Sequence, residues 1–123
     1  MAASQPEPET AERGVIRAVT WNCHGSIGAD RRCDPERTLA TIARLGPDIL
    51  ALQEVDGRSH LGRRQRAFET LGQELLKTAG SQIVEARTVP REDRDYGHLL
   101  WSRWPIVSAT IHALPEPGVE PRA

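Results

Sequence analysis

Two short apolar runs constrain this chain most, because each is closed by residues suited to a ligand rather than to packing. The first, Ile16-Arg17-Ala18-Val19-Thr20-Trp21, ends in Asn22-Cys23-His24-Gly25. The second runs from Asp48 through Leu50-Ala51-Leu52 and ends in Gln53-Glu54-Val55. A nearly continuous apolar run of this length reads as a strand buried on both faces. A carboxylate that closes such a strand is poorly placed for packing and well placed for a ligand. With the two strands side by side, Asn22 and Glu54 meet at one rim of the sheet. That is the first half of a Mg²⁺ site, since Mg²⁺ takes one or two carboxylates and fills its other positions with water and substrate oxygens.

The rest of the chain alternates in the same style. Residues 1–13, rich in Pro, Glu, Ala and Ser, read as a disordered tail too polar to pack. The β-branched run from Val15 to Thr20 starts the first strand. Gly25, Gly28 and Asp30-Arg31-Arg32 make a polar loop. Asp34-Pro35-Glu36 is a helix start, with Asp34 as N-cap, Pro35 at the first helical position and Glu36 at the positive end of the dipole. Leu39, Ile42, Ala43 and Leu45 follow with helical spacing, and Gly46-Pro47 ends the helix. After the second strand, residues 56–66 form a charged loop. A second helix is predicted over roughly Gln65 to Thr78, with Phe68, Leu71 and Leu75 on one face. Ile83 to Val89 alternates like a strand, and residues 90–96 form a charged turn. His98 to Ser102 and Ile106 to Leu114 read as two more strands in a hairpin across Trp104-Pro105. Residues 115–123 hold three prolines and no periodicity. The order βαβαβββ predicts a mixed α/β (α+β) domain over 14–123, with helices on one face of a sheet.

Composition narrows the function classes. A net charge of −1 gives no global field for nucleic acid or an anionic membrane. Hydrophobic residues make up 38% of the chain, and the aromatics are three Trp, one Tyr and one Phe. The basic residues are Arg apart from Lys77, a bias that fits coding composition better than phosphate recognition. Cys23 reads as a small core residue and Cys33 as a loop residue, with no disulfide framework. No apolar leader and no run of ~18 apolar residues occurs, so the expectation is a cytoplasmic chain without a membrane span.

Each candidate residue has a plainer reading beside the functional one. Glu54 is a metal-binding carboxylate or a strand-end Glu paired to a surface Arg. Asn22 holds the metal's water or a phosphate oxygen, or simply forms a turn. Gln53 supports the neighbouring loop. His24 donates to phosphate or is a partly exposed loop histidine. Gly25 lets the backbone approach a ligand, or turns the chain. Arg58, Arg63, Arg64 and Arg66, with His60, are the only basic cluster. They contact a nucleic-acid backbone or form a solvated loop, the latter favoured because no aromatic is interleaved for base stacking. Trp101 and Trp104 read as core.

Several segments together resemble the endonuclease/exonuclease/phosphatase superfamily of metal-dependent phosphoesterases. Thr20-Trp21-Asn22-Cys23-His24-Gly25 resembles its opening T-[WY]-N-x-x-G strand, and Leu52-Gln53-Glu54 its L-Q-E strand end. Tyr96-Gly97-His98-Leu99-Leu100-Trp101-Ser102-Arg103-Trp104-Pro105-Ile106 resembles its Y-G-N-A-L-L-S-R-x-P-I segment, with His98 where Asn is commoner. Leu114-Pro115 and Glu120-Pro121-Arg122 resemble the L-P…E-P-R segment of small bacterial members. The resemblance spans about Val15 to Arg122.

The resemblance implies a four-layer αββα sandwich, present in part, and a hydrolase acting on phosphoesters with Mg²⁺, or Mn²⁺ as the alternative. It implies Glu54 and Asn22 as metal residues. It places Tyr96 and His98 beside the active site, where a phenol or imidazole binds the scissile phosphate. The Gly-Asp-Phe-Asn and Ser-Asp-His segments of the family's second half supply the Asp that orients the nucleophilic water, the phosphate-holding Asn and an Asp–His pair. Neither Gly-Asp-Phe nor Ser-Asp-His occurs here. The expectation is therefore an N-terminal half of such an enzyme, inactive alone, or a non-catalytic half-domain that binds a metal or a partner. The substrate stays open among nucleic acid, inositol phosphate and phospholipid headgroup. Half of a two-sheet sandwich would also leave a sheet face uncovered, so self-association through that face is expected.

Overall fold

The computed structural model describes residues 14–87 and 95–114. The tail at 1–13, the end of the strand predicted over 83–89, most of the charged turn and the proline-rich residues 115–123 lie outside the described residues.

Four strands form one sheet: β1 (Ala18–Asn22), β2 (Ile49–Asp56), β3 (Gln82–Arg87) and β4 (Tyr96–Ser102), in the order β1-β2-β4-β3. β1 and β2 are parallel, with Asn22 opposite Gln53. β4 is antiparallel to both β2 and β3. The parallel pair needs a crossover, and helix α1 (Pro35–Leu45) supplies it. Its ends form as the sequence predicts. The Asp34 carboxylate accepts the Arg37 N–H at 3.1 Å, Pro35 occupies the first position, and Gly46 closes the helix at φ 57° with its N–H on the Ile42 carbonyl. A glycine suits that left-handed cap because it has no Cβ to clash.

Helix α2 (Ala67–Leu75) is shorter than predicted at both ends. At its C-terminus the Trp101 indole donates to the Leu75 carbonyl at 2.9 Å, satisfying an acceptor that the helix cannot use itself. Both helices cover one face of the sheet. Ile42, Phe68, Leu71 and Leu75 meet Leu50, Leu52, Val55, Leu99 and Trp101 there, and that is the core. Full burial of a Leu or Phe side chain contributes about 1.5–3 kcal/mol.

β2 is not buried on both faces, in contrast to the expectation from its apolar run. Leu50 and Leu52 are buried beneath the helices, but Ile49, Ala51 and Gln53 on the other side are only half-buried. The strand predicted over 106–114 does not form either. Residues 103–113 carry no strand, and Leu114 makes only an isolated bridge. The hairpin fails because the chain leaving β4 is tied to the sheet end. The Arg103 N–H donates to the Asp48 carbonyl and the Ile106 N–H to the Gln82 side chain. Pro105 between them has no N–H to offer a ladder. Residues 110–114 instead run across the open sheet face. With Ala51, Val84, Ala86, His98 and Leu100 they bound a groove of about 420 Å³.

Asp48, with 0% exposure, is the polar knot of the fold. Its carboxylate accepts the Arg17 N–H at 2.8 Å and the Arg103 Nε–H at 3.2 Å. It thereby joins the approach to β1, the start of β2 and the exit of β4. A buried carboxylate is tolerable only when paired and hydrogen-bonded in this way.

Candidate active site

The parallel register brings the ends of β1 and β2 together, and the two residues singled out there meet. The Asn22 amide donates to one Glu54 carboxylate oxygen, and the Asn22 oxygen accepts the His24 N–H at 3.1 Å. The His24 Nδ1 lies 3.7 Å from the other Glu54 oxygen. The Glu54 side chain is 27% exposed and that of His24 60%. The cluster therefore opens to solvent at the carboxyl rim of the parallel strands.

Glu54 occupies this place because β2 bulges. The β2–β4 register slips between Leu52 and Val55, and Glu54 takes φ 53°. His24, Gly25 and Ser26 are also left-handed, at φ 49°, 61° and 62°. Left-handed backbone at a residue with a side chain costs on the order of 1–3 kcal/mol and collects at functional sites. Cys23 holds the two distorted segments together. Its N–H and its thiol both donate to the Gln53 carbonyl, at 3.0 and 3.2 Å, and the thiol also reaches the Glu54 carbonyl. Burial pushes that thiol up to about 11, so it stays protonated in its donor role. Cys23 is a core residue, as its strand context predicts, and this second task has no local signal in the sequence. Gln53 donates to the Thr20 hydroxyl at 3.0 Å, a supporting contact as expected.

Tyr96 and His98 lie on β4 at the same end of the sheet. Tyr96 pairs with Asp56, and β4 at His98 faces the bulge. His98 lines the open-face groove with Gln53. Tyr96 is 6% exposed, and the Arg58 guanidinium sits 4.1 Å above its ring. Gly97 between them is required by a close approach. A Cβ there would fall 2.0 Å from the Ala86 carbonyl oxygen on β3.

Three arginines of the basic cluster are engaged within the chain. Arg58 forks onto the buried Asp56 at 2.9 and 3.0 Å, Arg63 reaches the same carboxylate at 3.1 Å, and Arg64 pairs with Glu36 at 2.9 Å. These pairs favour the plainer reading of the arginines. Sequence reasoning also missed Asp95. Its carboxylate caps α2 from across the fold, accepting the Arg66 and Ala67 N–H groups at 2.6 and 3.2 Å, and its carbonyl accepts the Gly57 N–H. This ties the start of β4 to the loop after β2. No local signal marks it, because the capped helix begins 28 residues earlier in the chain than its cap.

Among the described residues, no group of three or more His, Cys, Asp or Glu side chains could hold a metal ion. The rim instead offers one carboxylate, one amide oxygen and one imidazole. One carboxylate with neutral oxygens fits a hard divalent ion that completes its shell with water and phosphate oxygens.

Helices on one face of a mixed sheet, with an acid–amide pair at the carboxyl rim of its parallel strands, define an α/β protein, and the carboxyl ends of strands are where open α/β sheets bind ligands. The profile of the endonuclease/exonuclease/phosphatase family matches residues 19–123, and the chain belongs to that family. A solved structure described as an endonuclease/exonuclease/phosphatase from Beutenbergia cavernae DSM 12333 superposes with a TM-score of 0.60 at 26% identity. The match covers 85% of this chain and 31% of that one, so the chain spans about a third of that protein's length. The four-stranded sheet and its helices are thus a fragment of that fold. No curated protein matches the chain. Among the described residues, no helix is long and apolar enough to cross a membrane.

Proposed function

We propose that this chain carries the metal-binding side of a Mg²⁺-dependent phosphoesterase. The observation that carries this reading is the Asn22–Glu54 pair, a partly exposed carboxylate on a left-handed bulge and gripped by a neighbouring amide. Glu54 supplies the negative donor. Asn22 fixes the carboxylate's orientation and keeps a second lone pair on its own oxygen for the ion's water or a phosphate oxygen. Mg²⁺ bound there, or Mn²⁺ in its place, neutralises charge on the phosphate and orients it. His98, facing the bulge from β4, is the residue to donate to a phosphate oxygen. Tyr96 has the weaker case, since its ring is packed beneath Arg58. The substrate class is a phosphoester, with nucleic acid, inositol phosphate and phospholipid headgroup as the candidates.

A second reading is a non-catalytic half-domain that binds a metal or a partner. Both readings expect no turnover by the 123-residue chain alone. General base catalysis is typically worth ~10²–10⁴-fold, and one lost oxyanion donor costs ~10²–10³. The test is product release from plasmid DNA, a bis-phosphodiester and an inositol phosphate at saturating Mg²⁺, with and without an added segment bearing the two missing motifs. Restored, Glu54-dependent turnover selects the enzyme reading. No rescue with intact metal binding selects the binding module. Robust turnover by the 123 residues alone overturns both.

A further inference from the structure

We propose that Arg63 is a positioning residue for the Asn22–Glu54 pair, holding the left-handed turn at 24–26 in place from the loop side. Its bearing on catalysis depends on the reading of that pair as the phosphoester site. Three successive residues at φ 49°, 61° and 62° make a turn that does not keep its shape unaided. Such backbone persists only where its surroundings over-determine it. From the core side, Cys23 grips the carbonyls of Gln53 and Glu54. From the loop side, the Arg63 side chain lies across Gly25. A Cβ at Gly25 would fall 3.0 Å from Arg63 Cγ and 3.2 Å from both Arg63 Nε and Asp56 Cβ. The glycine of Asn22-Cys23-His24-Gly25 therefore serves two needs, a left-handed φ and room for an arginine stem.

Ion pairing alone does not explain Arg63. The buried Asp56 carboxylate already accepts three hydrogen bonds from Arg58. The Arg58 backbone N–H and Nε–H reach Oδ1 at 3.1 and 2.9 Å, and Nη2–H reaches Oδ2 at 3.0 Å. One guanidinium meets the need of a buried carboxylate for a paired charge. A second cation at 3.1 Å leaves the group with excess positive charge. The two arginines run in different directions. Arg58 lies over the Tyr96 ring and ties Asp56 to β4. Arg63 runs from the same carboxylate to the turn at the rim, and its Nη1 donates to the Leu61 carbonyl at 2.6 Å. The guanidinium is thus fixed while the stem presses on Gly25. From Gly25 the effect passes to His24, whose N–H bonds the Asn22 oxygen at 3.1 Å, and through the Asn22 amide to the Glu54 carboxylate. Asp56 lies two residues beyond Glu54 on β2, so the anchor sits on the strand whose bulge aims that carboxylate.

The test follows the full chain by nuclear magnetic resonance, with no metal added. In wild type the Arg63 side-chain protons should show nuclear Overhauser contacts to the Gly25 α protons. Their absence overturns the proposal, and this arm decides even if no variant folds. Arg63→Ala should speed amide exchange at His24 roughly tenfold or more and move the Asn22 side-chain amide resonances. The amides of Leu50, Leu52 and Leu99 should keep their protection, which separates a lost clamp from a loosened core. Arg63→Lys retains a long stem and a cation, and should restore both signals. Arg64→Ala, which removes the neighbouring pair with Glu36, should leave His24 and Asn22 as in wild type. Unchanged His24 and Asn22 signals in folded Arg63→Ala overturn the proposal, as do a uniform loss of core protection, a failed Lys rescue or an equal response in Arg64→Ala. The two levels stay distinguishable. Metal affinity that survives Glu54→Ala removes the phosphoester reading and leaves the clamp, whereas His24 and Asn22 signals indifferent to Arg63 remove the clamp alone.

Discussion

Asn22 and Glu54 are joined by a side-chain hydrogen bond across the parallel β1–β2 pair, although 32 residues separate them in the chain. The bond exists because β2 bulges at Glu54 and turns its carboxylate toward the end of β1. The same amide takes the His24 N–H through its oxygen. Asn22 is thus a clamp on the carboxylate, and this ranks the two residues for mutagenesis.

Glu54→Ala should abolish measurable Mg²⁺ and Mn²⁺ binding, because the other rim donors are neutral. Asn22→Ala should weaken binding by about 10–100-fold, the usual cost of losing a group that orients a ligand. Calorimetric titration of both variants checks the order. A larger loss in Asn22→Ala than in Glu54→Ala would reverse the assignment.

Asp48 should dominate stability. Asp48→Ala strands the Arg103 guanidinium and the Arg17 N–H beside a cavity. Removing one partner of a buried pair costs about 3–5 kcal/mol, a large share of a small domain's total. Urea unfolding of the variant should show a lower midpoint or no cooperative transition. A midpoint within experimental error of wild type would mean that the knot is dispensable.

Acid should loosen the chain in a defined window. The Arg37 guanidinium forked onto Asp30 holds that carboxyl down at about 2, against an ordinary 3.8. Arg87, bonded to Glu69, holds the Glu69 carboxyl below its ordinary 4.5. Groups lowered on folding contribute stability that is fully present above their unfolded values and is lost as pH falls through their folded ones. Stability should therefore be level from neutral pH to about 5 and decline toward pH 2. The slope should be shallow, because the Asp30 and Glu69 side chains are substantially exposed and solvent screens such pairs. Asp30→Asn with Glu69→Gln should flatten it. An undiminished acid slope in that double variant would transfer the effect to other carboxylates.

The open sheet face should drive association. Leu100, Ile111 and Leu114 are exposed around the groove on that face, and exposed apolar patches of this kind favour self-contact. Light scattering should find dimers or larger species that diminish in Leu100→Lys. A concentration-independent monomer with cooperative melting would show that residues 110–114 already close the face well enough.

Local signals in the sequence were sufficient for the elements flanking the rim. Asp34-Pro35 and Gly46 set α1 because capping and left-handed closure depend on neighbours within one turn. The apolar run over 49–52 announced β2, and Phe68, Leu71 and Leu75 announced the buried side of α2. The motifs around Asn22 and Glu54 are local too, each written within one strand end. What escaped depends on partners far apart in the chain. The bulge that aims Glu54 arises from register against β4. The cap on α2 is Asp95, on another strand. Arg58, Arg63 and Arg64 are engaged by Asp56 and Glu36. The segment 106–114 has strand-like residues yet is held off the ladder by Asp48 and Gln82. Periodicity and caps are local quantities, written within a few residues. Register, buried ion pairs and the choice of a strand's neighbour are settled only when the whole core packs, and those decisions brought Asn22, His24 and Glu54 to one point.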